Sequence, residues 1–278
     1  MKNLTLLILF LLFAVNIFSQ TTYTPKDIAG EYIYSSGYVG ASFCLKDDGS
    51  YEFRTFSDCC GNDWKEIGTY SIKTNLVQFK IIKYTLGQYN LFDPKEKAAA
   101  FKKFYPESDF KDEKIETEHE IHIVSWGERV YLLNYNDLYK FAAAVNLGFE
   151  PRGQIIHHDF LTTDFYLRSG DEKKIVSGKP NLPNEWLSYI LDSPINASIT
   201  KIEGAKHERK YTVNKGSKEG LKVGMCFIRE NTKIDYENLV WVISVEEHSA
   251  ILEVQSLIFP PDYKIGDILT TKSYKSPK

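Results

Sequence analysis

Between residues 30 and 82, aromatic side chains recur two positions apart and are interrupted at short intervals by turn residues. Tyr32 and Tyr34 form one such pair and Tyr51 and Phe53 another, with Phe43 and Phe56 in the same stretch. A spacing of two keeps side chains on one face of a strand, and aromatic residues suit a pleated surface with one buried side. Asp47-Asp48-Gly49 separates the predicted strands Ala41–Lys46 and Ser50–Phe56. Glycine accepts the positive φ that a tight hairpin demands, so the pattern predicts a turn there. The paired acids could also serve calcium or acid/base chemistry, but the flanking strands account for them as turn residues. Trp64–Ile72 and Asn75–Ile82 predict two more antiparallel strands around a turn at Lys73–Asn75.

The series Gly30-Glu31-Tyr32, Asp48-Gly49-Ser50-Tyr51 and Gly68-Thr69-Tyr70-Ser71 resembles lipocalin-like exported β-domains of Bacteroidota type, over about residues 28–84. That resemblance implies an up-and-down β-meander or barrel cupped around an apolar ligand. No cofactor motif accompanies it.

Asp93-Pro94-Lys95-Glu96 predicts a helix start, with a capping Asp, a Pro in the first turn and an acid at the positive helix end; the helix runs to Phe104. The charged stretch Glu107–Glu120 predicts a solvated loop leading into a strand. Ile121–Val124 and Val130–Leu133 flank a hairpin signal at Trp126-Gly127-Glu128. Asn136 or Asp137 then caps a helix to about Leu147, with Gly148 in the stop position and Phe141 and Val145 on its apolar face. Phe165–Arg168 predicts a strand and Ser169-Gly170-Asp171 a turn. The prolines and asparagines of Lys179–Asn184 predict a linker into a short helix, Glu185–Leu191.

After Pro194 only short strands follow: Ile195–Ile202, Lys210–Val213, Met225–Arg229, Leu239–Val245 and Ala250–Gln255. Their spacing predicts a small antiparallel barrel. Gly216, Gly220 and Gly224 permit tight turns, while Leu221 and Val223 are expected to point inward; Lys264-Ile265-Gly266-Asp267 marks a further turn. About residues 195–272 resemble small β-barrel modules of bacterial envelope proteins, including those of a flagellar assembly family and of cell-shape proteins. The resemblance implies a docking or structural role.

The fold expected is therefore mainly β: an antiparallel meander or barrel with a few short helices, then a small all-β barrel. Residues 20–192 and 193–278 are the two expected domains, after a signal peptide at 1–19. Lys2 supplies the positive start of that peptide, Leu6–Val15 an unbroken apolar run, and Ile17 and Ser19 the residues before cleavage at Gln20. Asn16 and Ser19 end the run short of the ~20 residues a spanning helix needs. No Cys follows it, so bacterial lipidation is not indicated, and no later stretch is apolar enough to span a bilayer. Cleavage removes one Lys and no acid, leaving 33 basic against 37 acidic residues, or −4. That near balance disfavours nucleic acid as a partner, and export places the chain in the periplasm or outside the cell. Hydrophobic residues at 43% exclude a disordered chain.

Motifs for common chemistry are absent. No phosphate-binding glycine loop, dinucleotide fingerprint or Gly-x-Ser-x-Gly elbow occurs. Ser198 and Lys201 have the spacing of some acyl-enzymes, but on a strand they face opposite ways. His119 and His122 are also expected on opposite strand faces, and neighbouring His157 and His158 likewise diverge. A zinc site would need one His from each cluster plus a carboxylate to meet in space, and a metal-assisted hydrolase would rest on His122, His157, His158 and Asp159 meeting. Lys201–Lys222 holds seven basic and three acidic residues, suited either to anionic polymers or to a soluble turn. Among the four cysteines, Cys226 is expected to be a buried thiol. With Asp47–Gly49 as the turn, Cys44 lies level with Glu52, about 23 Å along the strand from Cys59. No stable disulfide therefore ranks first, an adjacent Cys59–Cys60 bond second, and a Cys44 bridge third.

No catalytic, cofactor or metal residues are assigned. The leading expectation is an exported, non-enzymatic binding or docking module of the envelope or a secreted protein. The alternatives are a small apolar ligand inside the amino-terminal barrel, and a metal-assisted hydrolase built on the His122 set.

Overall fold

The computed structural model describes residues 22–35, 39–57, 64–86, 118–151, 165–205, 208–230, 232, 238–254 and 261–272. Eight strands form a first closed barrel: β1 (Gly30–Ser35), β2 (Val39–Leu45), β3 (Ser50–Ser57), β4 (Trp64–Lys73), β5 (Leu76–Leu86), β6 (Glu118–Trp126), β7 (Arg129–Leu133) and β8 (Phe165–Arg168). Each pairs antiparallel with the next, and β8 closes on β1 through Tyr32↔Arg168 and Ile33↔Leu167. The up-and-down order is the one the lipocalin-like resemblance implied. Cys44 pairs with Glu52, the register expected from the Asp47–Gly49 hairpin. Gly49 takes φ 81° and its N–H donates to the Lys46 carbonyl at 3.1 Å. The Asp48 carboxylate accepts the Ser50 hydroxyl (2.6 Å) and N–H (2.9 Å), and these bonds hold its pKa below the ordinary value. The acid pair thus serves the turn.

Strand alternation sends Tyr32, Phe43, Tyr51, Phe79 and Ile121 inward, where all are buried. β7 departs from alternation and is buried at all five positions. Its two faces are both covered: Val130 and Leu132 join the barrel interior, while Tyr131 and Leu133 lie under a helix. A short helix, α1 (Pro25–Ile28), precedes β1 and packs against the barrel core. Ile28 is fully buried and its carbonyl accepts the Tyr32 hydroxyl at 2.8 Å.

Helix α2 (Leu138–Asn146) follows a 3-10 turn at Tyr135–Asp137 and stops where Gly148 takes φ 79°. Asp137 occupies the capping position, but its side chain binds Lys140 instead, at 3.0 Å. The expected linker Lys179–Asn184 is packed, not free. Asn181 bridges to Ser125 with an N–H donated to its carbonyl at 2.7 Å, Trp126 Nε1 donates to the Gly178 carbonyl at 2.9 Å, and Val176 and Leu182 are buried. Proline is excluded from a helix interior but suits extended chain, and extended chain can lie along a strand. The following helix, α3 (Asn184–Leu187), is shorter than the sequence suggested. The predicted helix at 93–104 lies outside the described residues.

The second closed barrel comprises β9 (Asn196–Glu203), β10 (Lys210–Val213), β11 (Cys226–Arg229), β12 (Val240–Val245), β13 (Ala250–Val254) and β14 (Ile268–Thr270), in the spatial order β10-β13-β12-β11-β14-β9. Five of these strands were expected. β14 has three residues, too few for alternation to show. Leu221 is buried as expected, but Val223 is 54% exposed, because this segment is a turn after the 3-10 helix Ser217–Glu219 and not a strand.

Helix α2 joins the barrels. Leu138, Phe141, Ala142 and Val145 pack on the first, and Ala143, Ala144 and Leu147 meet Cys226, Ile228, Leu239 and Trp241 of the second. The small Ala side chains let the second barrel approach the helix closely. No described helix is long and apolar enough to cross a membrane.

Candidate functional site

Beside this junction lies a cleft of about 560 Å³. Its floor is Trp241, on the outer face of β12, meeting the Tyr139 ring of α2 edge-on at 5.5 Å between centroids. Gly224 makes that arrangement possible: it takes φ 87°, and a Cβ there would lie 3.2 Å from the Tyr139 ring. The opposite wall is Trp186 of α3, with its ring centroid 4.7 Å from that of Tyr189. Tyr189 donates its hydroxyl to the Val223 carbonyl at 3.1 Å, and burial pushes its pKa up. Asn146, buried on α2, fixes this wall from behind. It donates to the Tyr189 carbonyl at 2.7 Å and accepts the Leu191 N–H at 2.9 Å.

The rim is apolar. Ile243 sits where the register of β12 slips against β13, and this bulge turns it outward, 38% exposed, beside the exposed Val223. Bulges commonly re-aim a side chain at a site in this way. The residues that line the cleft include Trp186 and Glu253, each of which carries a polar group. Trp186 Nε1 is buried and has no hydrogen-bond partner among the described residues. The Glu253 carboxylate, across the ladder from Trp241, makes no ion pair or hydrogen bond among them either. Two ammonium groups stand on the neighbouring tyrosines. Lys140 Nζ lies 6.0 Å from the Tyr139 ring centroid, and Lys222 Nζ 5.2 Å from that of Tyr189 while bonded to Ser188.

The histidines expected on opposite faces of β6 are so placed. His119 stacks inside the barrel on Phe79, with centroids 4.7 Å apart. His122 lies outside, 5.7 Å from the Tyr135 ring, and burial lowers its pKa, which favours the neutral imidazole. His157, His158 and Asp159 lie outside the described residues, among which no three potential ligands meet. Ser198 and Lys201 sit on β9, and Lys201 pairs with Glu203 at 2.8 Å. Other cations of the basic segment are also paired: Lys215 with Glu219, Lys218 with Glu247 and Arg209 with Asp262. That pattern fits a solvated surface better than a patch for an anionic polymer. Cys226 is buried, and burial pushes its thiol far above the ordinary range. Cys44 and Cys226 are free thiols, while Cys59 and Cys60 lie outside the described residues.

A second polar feature occupies the first barrel. Tyr51 is 1% exposed with a hydroxyl that lacks a hydrogen-bond partner among the described residues, and the inward Glu66 and Tyr84 on neighbouring strands are buried near it. Their surroundings are aromatic, with Phe43 and Phe53 centroids 4.6 Å apart and Tyr51 and Phe79 also 4.6 Å apart.

None of Trp186, Tyr189, Trp241 and Glu253 belongs to a sequence motif. Only the aromatic content around Trp186–Tyr189, next to prolines, hints at them. No family model, curated protein or solved structure matches the chain, so a functional reading starts from the geometry alone.

Proposed function

We propose that the chain is an exported, non-enzymatic binding protein that captures a small ligand between its two barrels. The observation that carries this reading is the aromatic cleft at the junction. Its volume falls within the range of about 300–1,000 Å³ usual for small-molecule sites, and its apolar walls with few polar groups have their usual character. The eight-stranded barrel supports kinship with lipocalin-like proteins, and the six-stranded barrel takes the role of the docking modules it resembles. Export follows from the Lys2, apolar-run and Ser19 pattern. Sequencing the amino terminus of protein from its native source should give Gln20, whereas an intact Met1 in a cytoplasmic fraction would overturn export.

A second reading, a ligand inside the first barrel, is favoured by the Tyr51 hydroxyl and the buried Glu66. Nile red, a neutral polarity-sensitive dye, separates the two. Ile243→Glu adds a charge at an already exposed rim position, so the fold should hold, as circular dichroism would check. We expect this change to weaken dye binding about tenfold, because the apolar contact becomes a carboxylate that resists desolvation. Dye binding that survives Ile243→Glu but falls in Phe53→Glu would move the site into the barrel.

A further inference from the structure

We propose that His122 is a pH-sensitive catch behind the wall of the cleft: the neutral imidazole lets α3 rest on the first barrel, and its protonation lifts α3 and loosens the ligand. This inference rests on the cleft being the binding site and adds how that site is regulated.

Rings make the contact between α3 and the barrel. His122, on the outer face of β6, lies 5.7 Å from the Tyr135 ring. Tyr135 meets Trp186 edge-on, also at 5.7 Å, and Trp186 packs on Tyr189 at 4.7 Å. These contacts form one chain from the barrel to the cleft, which Trp186 and Tyr189 line. No backbone ladder reinforces it. The N–H groups of Trp186, Leu187, Tyr189 and Ile190 donate within the segment, to the carbonyls of Pro183, Trp186 and Leu187. The segment is fixed at its ends, by buried Leu182 before α3 and by buried Ile190 and the Asn146 amide after it. Ser188 and Tyr189 are also bonded to the turn before β11, through Lys222 and the Val223 carbonyl. The part free to move is therefore α3 with Trp186. A short element tied at both ends and resting on rings in between can shift without unfolding its neighbours.

Charge on His122 opposes this contact. Its Nδ1 is shut away from solvent and has no hydrogen-bond partner among the described residues. In the neutral ring that atom can be the bare acceptor, whereas in the protonated ring both nitrogens are donors. Protonation thus buries a charged N–H with nothing to receive it. The equally buried Nε1 of Trp186 is itself a donor and gives no relief. Two carboxylates pull the other way. Glu120 of β6 and Glu185 of α3 favour the cation, but burial outweighs them and lowers the pKa. Glu120 is engaged by Gln78 Nε2 at 2.6 Å, and Glu185 is exposed. The adjacent strands place Leu76 and Leu133 across from His122, with Lys73 one strand beyond Leu76. The 3-10 turn adds Tyr135, its Asp137 being held by Lys140. A base kept neutral when docked and free to charge when lifted sets the sign. Docking keeps its full strength above the ordinary histidine value near 6.5 and is lost as pH falls below it.

The test uses the full mature chain. Acrylamide quenching of Trp186, read as the difference between that chain and Trp186→Phe, reports whether α3 lies on the barrel with no ligand present. It should rise between about pH 7.5 and about pH 5, the range in which histidine titrates. Nile red affinity should fall about three- to tenfold over the same range, the size expected for one charged donor left unpaired at a partly exposed site. Both changes should vanish in His122→Phe, which keeps a ring and cannot charge. His122→Asn serves the same purpose where circular dichroism shows that Phe disturbs the fold. A pH dependence that persists in these variants would overturn the catch, as would quenching that stays flat in the unaltered chain. Acid that tightens dye binding, with the effect lost in Glu185→Gln, would overturn its sign and make His122 a partner that Glu185 locks down. Quenching that rises while dye affinity holds at every pH would refute control of the ligand. Ile243→Glu then locates the fault: dye binding weakened by that change leaves the cleft as the site and sinks only the catch, whereas binding that survives it refutes the site.

Discussion

Replacing Asp171 by Asn tests how the segment leading from the first barrel to the second is fixed. Asp171 is 2% exposed and gathers three donors: the Val130 N–H at 2.9 Å, Arg168 Nε at 3.2 Å and Lys174 Nζ at 2.6 Å. Val130 is the second residue of the doubly covered strand β7, and Arg168 Nη1 also donates to the carbonyl of Asp27, in α1, at 3.0 Å. One carboxylate therefore ties together β7, β8 and α1. Asn keeps the shape and one carbonyl oxygen for Val130, but its NH₂ turns a donor toward two cations. Breaking a buried ion pair outright costs about 3–5 kcal/mol. Arg168 and Lys174 are 19% and 38% exposed in their side chains and can turn partly to water, which discounts that figure. We expect about 2–3 kcal/mol lost for Asp171→Asn, and about 3–4 for Asp171→Ala, which also orphans the Val130 N–H. Urea unfolding followed by circular dichroism and by tryptophan fluorescence measures both, and coincidence of the two signals checks that one transition is being read. A loss below about 0.5 kcal/mol for both variants would place this carboxylate among ordinary surface pairs and refute the proposed tie.

Three further outcomes are expected. The Lys264 N–H, and after it Arg229, hold the Asp267 carboxyl below its ordinary value near 3.8, so it stabilises the fold above that pH and ceases to do so as pH falls through the lower folded value; Asp267→Asn should flatten the fall in stability below about pH 4 in acid titrations. Gly224→Ala forces a Cβ into the left-handed region and against Tyr139; it should cost about 1–3 kcal/mol and weaken Nile red binding, and unchanged values in both measurements would remove Gly224 from the cleft's construction. Cys226 should resist iodoacetamide at pH 8 in the intact protein and react in an isolated fragment of residues 193–278, where its cover from α2 is missing; rapid labelling in the folded whole would show that the junction opens.

What the sequence made legible was local. The Asp47–Gly49 hairpin fixed the β2–β3 register to the residue, because glycine and two acids leave the chain few other turns there. The second barrel's longer strands were legible through alternation. β14 was not, because a three-residue strand has no period. The strap at 178–182 was misjudged because proline reports only what the backbone refuses to do. Whether an extended segment pairs depends on an open strand edge, here the edge of Ser125 away from its β7 partner Val130, more than 50 residues earlier in the chain. Val223 was assigned inward on a strand alternation that a turn does not obey. Asp171 looked like a turn acid, and only its three donors, from β7, β8 and Lys174 just after its own turn, make it a buried anchor.

The cleft was illegible for a related reason. Its groups come from α2, α3, the turn before β11, and strands β12 and β13, so its residues lie on both sides of the expected boundary at residue 193. Each side has an ordinary structural reason for its aromatic residues: Trp186 packs beside the first barrel, and Trp241 lies on the outer face of the second, where Tyr139 of α2 meets it. Binding geometry arises only when α2 is held between them. The pattern of that helix is consistent with this demand. A helix serving one barrel needs a single apolar stripe, yet Leu138 and all of Phe141–Asn146 are buried, with the small Ala143 and Ala144 turned to the second barrel. Asn146 completes the arrangement, since a buried amide is tolerated only when bonded, and both its bonds go to the backbone of the Trp186–Leu191 segment. The most economical account of a helix buried on two sides and ending in such an anchor is that the two barrels act as one unit, with the site at their seam.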